Sequence, residues 1–460
     1  MSRVFIISAN LCRDPFPVYP LGMGVVAKAL EAKGHEVCQF DLLQRGGPGA
    51  ELRADLRAYA PDVVCLSLRN LDEAETQSLE QGSARTAARQ VVAAVRECTT
   101  APLVLGGPAF SLLPEMWLAT LGADYGVVGE GEEAIGALVA ALQRGERPAR
   151  LWRRPGPGLP AAAMLGASLR PELCAFYLAE SGMLGVQTKR GCPFRCAYCS
   201  YPALEGHSFR HRALAEVIED IRSLRRQGAT RIFITDSVFN DPAGRYLEVA
   251  EALCAAELGV EWTAFFRPAP ITDAEMALLK RSGLRAVELG TDGATDITLA
   301  AQRKGFTFAA AVDWTRACLR HDLPCVHYLI FGGPGETMDT LTAGLKNLEQ
   351  LRGAAILAST GVRILPGTRV HELALAEGQI SPTTPLESAP LYVSPQIDRV
   401  RLEQQVTEAF RPHREWLYPP HAAHEAMDVM YRFGYRGTLW ETLLPSGGHY
   451  RRTAARGPTT

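Results

Sequence analysis

The sequence predicts an α/β protein in three parts: a parallel sheet covered on both faces, a set of βα units forming a barrel or part of one, and a mostly helical C-terminal region. Three observations predict it. Short apolar runs alternate with helical stretches through residues 1–145, and again through 183–372. Between them, residues 146–182 lose that rhythm and turn rich in Pro, Gly and Arg, as a linker does. From 373 to 460 the strand-like runs fade and helical periodicity remains. Short strands rich in Val, Ile and Leu that alternate with helices mark a parallel sheet buried on both faces.

The elements follow in order. "RVFIIS" (3–8) reads as a strand, and "LGMGVVAKALEAKG" (21–34) as a helix closed by Gly34. Strand-like runs follow at 36–40, 62–67, 102–107 and 124–129, with the helix "ARTAARQVVAAVREC" at 84–98. A sheet of this kind binds ligands beyond the carboxyl ends of its strands. Small or polar residues stand at those ends: Ser67, Gly106, Gly107, Gly129, Glu130 and Gly131. No G-x-G-x-x-G follows the first strand, so a nicotinamide fingerprint is absent. In the second part, strands are expected near 184–188, 231–235, 260–265, 285–289, 325–331 and 355–364. Six βα units suggest a barrel whose active site lies at the carboxyl ends of its strands. In the last part, "VRLEQQVTEAFRPHREWLY" and "AHEAMDVMYRFG" read as helices covering the barrel mouth, and the terminal stretch should fray. Trp416, Tyr418, Tyr431, Phe433 and Tyr435 are aromatic candidates for lining that mouth, although aromatics at helical spacing more often pack in a core.

Composition narrows the function. Apolar residues make up 47% and charged residues 21%, as in a protein with a sizeable buried core. A formal net charge of -2 argues against bulk nucleic acid as a partner. No run of about 18 apolar residues predicts a membrane span, and the N-terminus lacks a signal-peptide layout. The chain is therefore expected to be cytoplasmic. Of eleven cysteines, eight are scattered, as small core residues are.

The other three, Cys192, Cys196 and Cys199, stand in "GCPFRCAYCS" with the spacing C-x3-C-x2-C. A structural zinc ion needs four ligands, and the next candidate, His207, stands alone. A disulfide would leave one thiol over. Three close thiolates can instead hold three corners of a four-iron, four-sulfur cube and leave the fourth iron open.

"RGCPFRCAYCS" resembles the signature of the radical S-adenosylmethionine (SAM) enzymes, a resemblance that extends down residues 183–370. It implies a [4Fe-4S] cluster on Cys192, Cys196 and Cys199, with SAM chelating the open iron and being cleaved to a 5′-deoxyadenosyl radical. An electron donor such as flavodoxin or ferredoxin is implied with it. By the same resemblance Tyr198 borders the adenine, and Asp236 and Asn240 border the methionyl end. Glu288 and Asp292 close the fourth barrel strand, where ribose or ammonium is held. Gly333 belongs to a glycine-bearing fifth strand end, and Arg363 either faces the SAM carboxylate or closes a rim ion pair.

Residues 1–145 are similar to the Rossmann-like cobalamin-binding domain fused to one large radical SAM subgroup. That implies a corrin on the strand ends and a nucleotide tail buried between strands, near Ser67, Gly106, Gly107, Gly129 and Glu130. No histidine stands in residues 10–24, so the resemblance implies cobalamin held without a histidine on cobalt. The expected activity is methylation of an unactivated carbon in a small molecule. Side-chain bases have pKa values too near neutrality to ionise such a C–H bond. A non-methylating rearrangement, cyclisation or ring contraction uses the same parts. A methylthiotransferase would need a second cluster, for which Cys12, Cys38 and Cys65 are the available thiols.

Overall fold

The structure, a computed structural model, describes residues 1–13, 16–71, 84–154, 156, 158–388, 390–420 and 429–444. The first sheet is built from β1 (Arg3–Ser8), β2 (Glu36–Asp41), β3 (Val63–Ser67), β4 (Leu103–Gly106), β5 (Tyr125–Val128) and β6 (Leu151–Arg153). Its order is β2-β1-β3-β4-β5-β6, and every pairing is parallel. Alternate side chains serve the two faces, as the two-residue period of a strand requires. Val4, Ile6 and Cys65 pack on one side, and Phe5, Ile7, Val64 and Leu66 on the other.

The second sheet contains β7 (Leu184–Val186), β10 (Arg231–Ile234), β11 (Glu261–Phe266), β12 (Leu284–Asp292), β13 (Cys325–Phe331), β14 (Ala355–Thr360) and β17 (Trp416–Leu417). Two small ribbons complete the strand set among the described residues: β8 (Lys189–Arg190) with β9 (Arg210–His211), and β15 (Val362–Arg363) with β16 (Leu391–Tyr392). The barrel sheet runs β17-β14-β13-β12-β11-β10-β7, all parallel. Its first six strands in chain order are the six expected from sequence.

Three expectations change. The stretch 146–182 does not merely link: β6 adds to β5 as the edge strand of the first sheet, and the helix Pro171–Ser181 packs between the sheets. Its Leu173, Cys174 and Tyr177 share one apolar cluster with Ile6 and Val186, so a single core runs through both halves. The C-terminal region is helical at Arg399–Phe410, yet it also donates β17 to the barrel. Nor does its last described segment cover the mouth. Trp440 packs with Ala286, Val326 and Ala355, which begin β12, β13 and β14, and so plugs the opposite end. Of the aromatic candidates, Trp416 is core beside Phe410, whereas Phe433 is 78% exposed. The first half of the expected helix at 423–434, residues 423–428, and the terminal tail lie outside the described residues.

Candidate active site

The cysteine loop is rooted by the β8–β9 ribbon, in which Lys189 pairs with His211 and Arg190 with Arg210. Gly191 turns the chain with φ +83, and a Cβ there would lie 2.1 Å from Ser208 O, so only glycine fits. Asp236, just past β10, braces this root. Its carboxylate accepts from Thr188 N at 2.7 Å, Lys189 N at 3.2 Å, Lys189 Nζ at 3.1 Å and the Thr188 hydroxyl. Those bonds commit Asp236 to the loop rather than to a ligand. Asn240 is committed likewise, bonding Arg267 O at 2.8 Å and Arg267 N at 2.9 Å.

All eleven cysteines are free thiols. Burial pushes Cys199 up to about 12, with the neighbouring Cys196 and Cys192 adding to the rise. Burial also raises Cys192. Such thiols ionise only when cations or metal stand beside them. Two protein cations do: Lys304 lowers Cys199, and Arg267 lowers Cys192. Arg267 lies 4.2 Å over the ring of Phe194, which sits between the first two cysteines. Among the described residues no three His, Cys, Asp or Glu side chains converge on one ion-sized point. The three sulfurs, spread round a single tight loop, suit a cube that offers each its own corner.

Beside the loop, Tyr198 OH donates to Asp292 Oδ2, and Lys304 Nζ contacts both, reaching the tyrosine oxygen at 3.3 Å. Asp292 ends β12 at φ +62, a left-handed conformation that Asp tolerates better than most residues. The buried Lys304–Asp292 ion pair is neutral overall. Gly333 packs against Gln302 and Val362. The resemblance gave no hint of Lys304 or Arg267, because each lies outside any motif and reaches the loop only through the barrel's closure.

Arg363 lies elsewhere, on the wall of a cavity of about 660 Å³ between the ends of the first sheet and the cysteine loop. Ser67, Gly106, Gly107, Gly129 and Glu130 line the same cavity, with Ser200, Tyr201 and Thr235 opposite. Gly107 approaches the Leu68 backbone so closely that a Cβ would sit 2.5 Å from Leu68 O. The cavity runs on as an apolar slot beneath the sheet, lined by Ile6, Cys65, Val104 and Val127 and by Met23 and Ile135 from the covering helices. A flat group on the strand ends with an appended tail in the slot would fit this shape.

Glu130 is not free for a ligand. Its carboxylate takes Arg190 Nη1 at 3.0 Å, Arg210 Nη1 at 2.9 Å and Leu159 N at 2.5 Å. Glu288 is also turned away from the cysteine loop. It accepts from Tyr328 OH at 2.8 Å inside the barrel, and burial pushes its carboxyl up to about 7, with Glu441 adding to the rise.

On β11, Trp262, Ala264 and Phe266 are buried against helices, while Phe265 is 39% exposed although its strand is central. Phe265 meets Phe233 at 5.3 Å and Tyr328 at 6.0 Å, and Phe16 from the first domain reaches Phe233 at 6.5 Å. These rings form one aromatic cluster that runs from the first domain into the barrel.

Cys38 and Cys65 serve opposite faces of the first sheet, so they cannot meet on one cluster. That removes the thiol set a methylthiotransferase would need.

Residues 9–139 match the B12 binding domain, and residues 186–346 match the Radical SAM superfamily. The chain is 25% identical to the tryptophan 2-C-methyltransferase of Streptomyces laurentii, over 76% of this chain and 71% of that protein. It is 25% identical to an uncharacterized methyltransferase of Pyrococcus horikoshii, over 78% of each. Its fold matches the radical SAM methyltransferase TsrM from Kitasatospora setae, solved with cobalamin and a [4Fe-4S] cluster bound. The TM-score is 0.81 at 22% identity, covering 96% of this chain and 97% of that one. The cobalamin-dependent SAM radical enzyme OxsB is similar at a TM-score of 0.69 and 15% identity, over 94% of this chain and 71% of that one. No helix among the described residues is long and apolar enough to cross a membrane. The chain thus joins a B12 binding domain to a radical SAM domain, and it is similar in sequence and fold to methyltransferases that carry both.

Proposed function

We propose that this enzyme methylates a carbon of a small aromatic molecule, taking the methyl group from SAM by way of cobalamin. The observation that carries the reading is the shared cavity: the strand ends of the first sheet, the cysteine loop and the barrel mouth all border one space. Cys192, Cys196 and Cys199 would hold the [4Fe-4S] cluster. Tyr198, Asp292 and Gly333 would border SAM beside it. Ser67, Gly106, Gly107 and Gly129 would form the floor under cobalamin. When bound, cluster and SAM supply a carbon-centred radical and cobalamin carries the methyl group. The chain's own residues do the rest. Asp236 and Gly191 fix the loop, Lys304 and Arg267 compensate thiolate charge, and the wall of Phe233, Phe265 and Tyr328 takes a planar substrate and excludes water.

A relative that acts on tryptophan makes L-tryptophan the first substrate to try. A small electron-transfer protein such as flavodoxin or ferredoxin would reduce the cluster in a reducing, cytoplasmic setting, which eleven free thiols favour. The test is anaerobic incubation of reconstituted enzyme with trideuteromethyl-SAM, cobalamin and a panel of aromatic and aliphatic small molecules, followed by mass spectrometry. A trideuteromethyl group on a carbon of an aromatic member supports the proposal. Methylation of aliphatic members alone, or release of rearranged unmethylated product, overturns it.

A further inference from the structure

Four charged side chains join the strand ends of the first sheet to the cysteine loop. Glu130 and Glu132 stand at the start of the helix Gly131–Gln143, immediately after β5. Arg190 directly precedes Gly191 and Cys192, and Arg210 is its ribbon partner. Arg190 reaches Glu130 at 3.0 Å with one guanidinium nitrogen and Glu132 at 2.7 Å with the other. Arg210 takes Glu130 at 2.9 Å. Gln187 Oε1 accepts from Arg190 Nε at 2.7 Å. The side chains of Arg190, Glu130 and Glu132 are at most 7% exposed. Two arginines face two glutamates, with the Glu205 carboxylate beside them, accepting from Gly191 N at 3.0 Å. Such a network is strongly position-dependent, because a partner that drifts leaves an uncompensated charge.

The network is also incomplete. Glu132 Oε1 is close to Arg190 yet has no aligned N–H, and Arg210 Nε has no acceptor. The two groups it connects border the same cavity: Glu130, Glu132 and Arg190 are all on its wall. One ionic joint therefore touches the floor proposed for cobalamin and the root of the loop proposed for the cluster.

We propose that Arg190, Glu130, Glu132 and Arg210 are positioning residues that couple the two cofactor sites, so that filling either site favours the other. The proposal rests on the cofactor assignment above but not on methyl transfer. Coupling of this kind is reciprocal: the factor by which the cluster tightens cobalamin equals the factor by which cobalamin tightens the cluster.

The test measures binding, not turnover. Hydroxocobalamin is titrated anaerobically into iron-free and cluster-loaded protein, followed by absorbance, for the wild type, Arg190→Met, Arg190→Lys and the milder, nearly isosteric Glu132→Gln. Loss of iron to a chelator is timed with and without cobalamin. Wild type should bind cobalamin about ten-fold more tightly when cluster-loaded. Cobalamin should also slow its iron loss. In Arg190→Met the ratio should fall toward one while binding to the iron-free form persists, Arg190→Lys should recover part of it, and Glu132→Gln should reduce it. A wild-type ratio of one, or an unchanged ratio in both Arg190→Met and Glu132→Gln, overturns the proposal. If Arg190→Met fails to fold, Glu132→Gln alone decides. A preserved ratio with no methylated product would leave the coupling standing and refute the methyl-transfer reading instead.

Discussion

Replacing Gly106 or Gly107 with alanine separates the fold from the cofactor floor. At Gly107 the new Cβ would lie 2.5 Å from Leu68 O and 2.9 Å from Leu68 N, in a backbone at φ +96. Ordinary Cβ contacts begin near 3.4 Å, so the β3 and β4 ends must part by close to an ångström. The conformation itself costs a non-glycine residue roughly 1–3 kcal/mol. At Gly106 the nearest atom to a new Cβ is Val127 O at 3.8 Å, and φ is not positive, so the protein itself has room. That room borders the shared cavity. Gly107→Ala should therefore lower the thermal midpoint of the cofactor-free protein by several degrees, whereas Gly106→Ala should leave it within about a degree. In a hydroxocobalamin titration Gly106→Ala should weaken binding about ten-fold, near 1.4 kcal/mol, from one methyl group placed against the ligand. Differential scanning fluorimetry and absorbance titration read the two effects separately. Unchanged cobalamin affinity in Gly106→Ala, with a midpoint also unchanged in Gly107→Ala, would refute both the floor and the close approach.

Other outcomes follow from the same geometry. Burial holds the Glu288 carboxyl near 7 when folded against 4.5 as the reference, so the folded state keeps a proton that the unfolded chain releases between those values. Stability therefore falls as pH rises through that window, by up to roughly 3 kcal/mol from this group. Glu288→Gln should remove that slope, and urea unfolding midpoints at pH 5.5 and 8 check it; an identical pH profile in the variant would contradict the burial argument. Arg267→Met removes a cation that faces Cys192 and Cys196, and should make the cluster harder to reduce by roughly 50 mV or more. A redox titration followed by paramagnetic resonance reads that shift, and an unchanged or higher potential would count against it. Phe265→Ala opens the aromatic wall and should weaken binding of L-tryptophan about ten-fold while leaving that of aliphatic amino acids unchanged. Equal losses for both ligand types would mean that Phe265 supports the barrel rather than the substrate.

The order of elements was legible because local apolar periodicity decides it. "RVFIIS" and "CVHYLIF" became β1 and β13 at the boundaries expected, and the helix at 84–98 was found residue for residue. The cysteine loop was legible because its spacing is a local property. What pairing brings together over long separations was not. β6 and β17 are three- and two-residue strands, too short to carry a period, and only a free sheet edge makes them strands. Asp236 and Glu130 stand just past their strands as expected, whereas Glu288 lies in the middle of β12 instead of closing it. Their partners, Lys189, Arg190 and Tyr328, stand 47, 60 and 40 residues away, and those pairings turn each carboxylate from a candidate ligand contact into a brace or a buried acid. Trp440 offered no sequence signal at all, since a plug is defined by the strand starts it covers.

Anaerobic reconstitution with iron, sulfide and hydroxocobalamin bears most directly on two cofactors sharing one cavity, if run beside the variant in which Cys192, Cys196 and Cys199 are all alanine. The account predicts that the wild type takes up a four-iron cluster, paramagnetic after dithionite, together with one corrin per chain. The triple variant should keep the corrin, hold no iron and release no 5′-deoxyadenosine from SAM. Wild-type protein that stays colourless and silent after dithionite, or that binds zinc in place of iron, would contradict it.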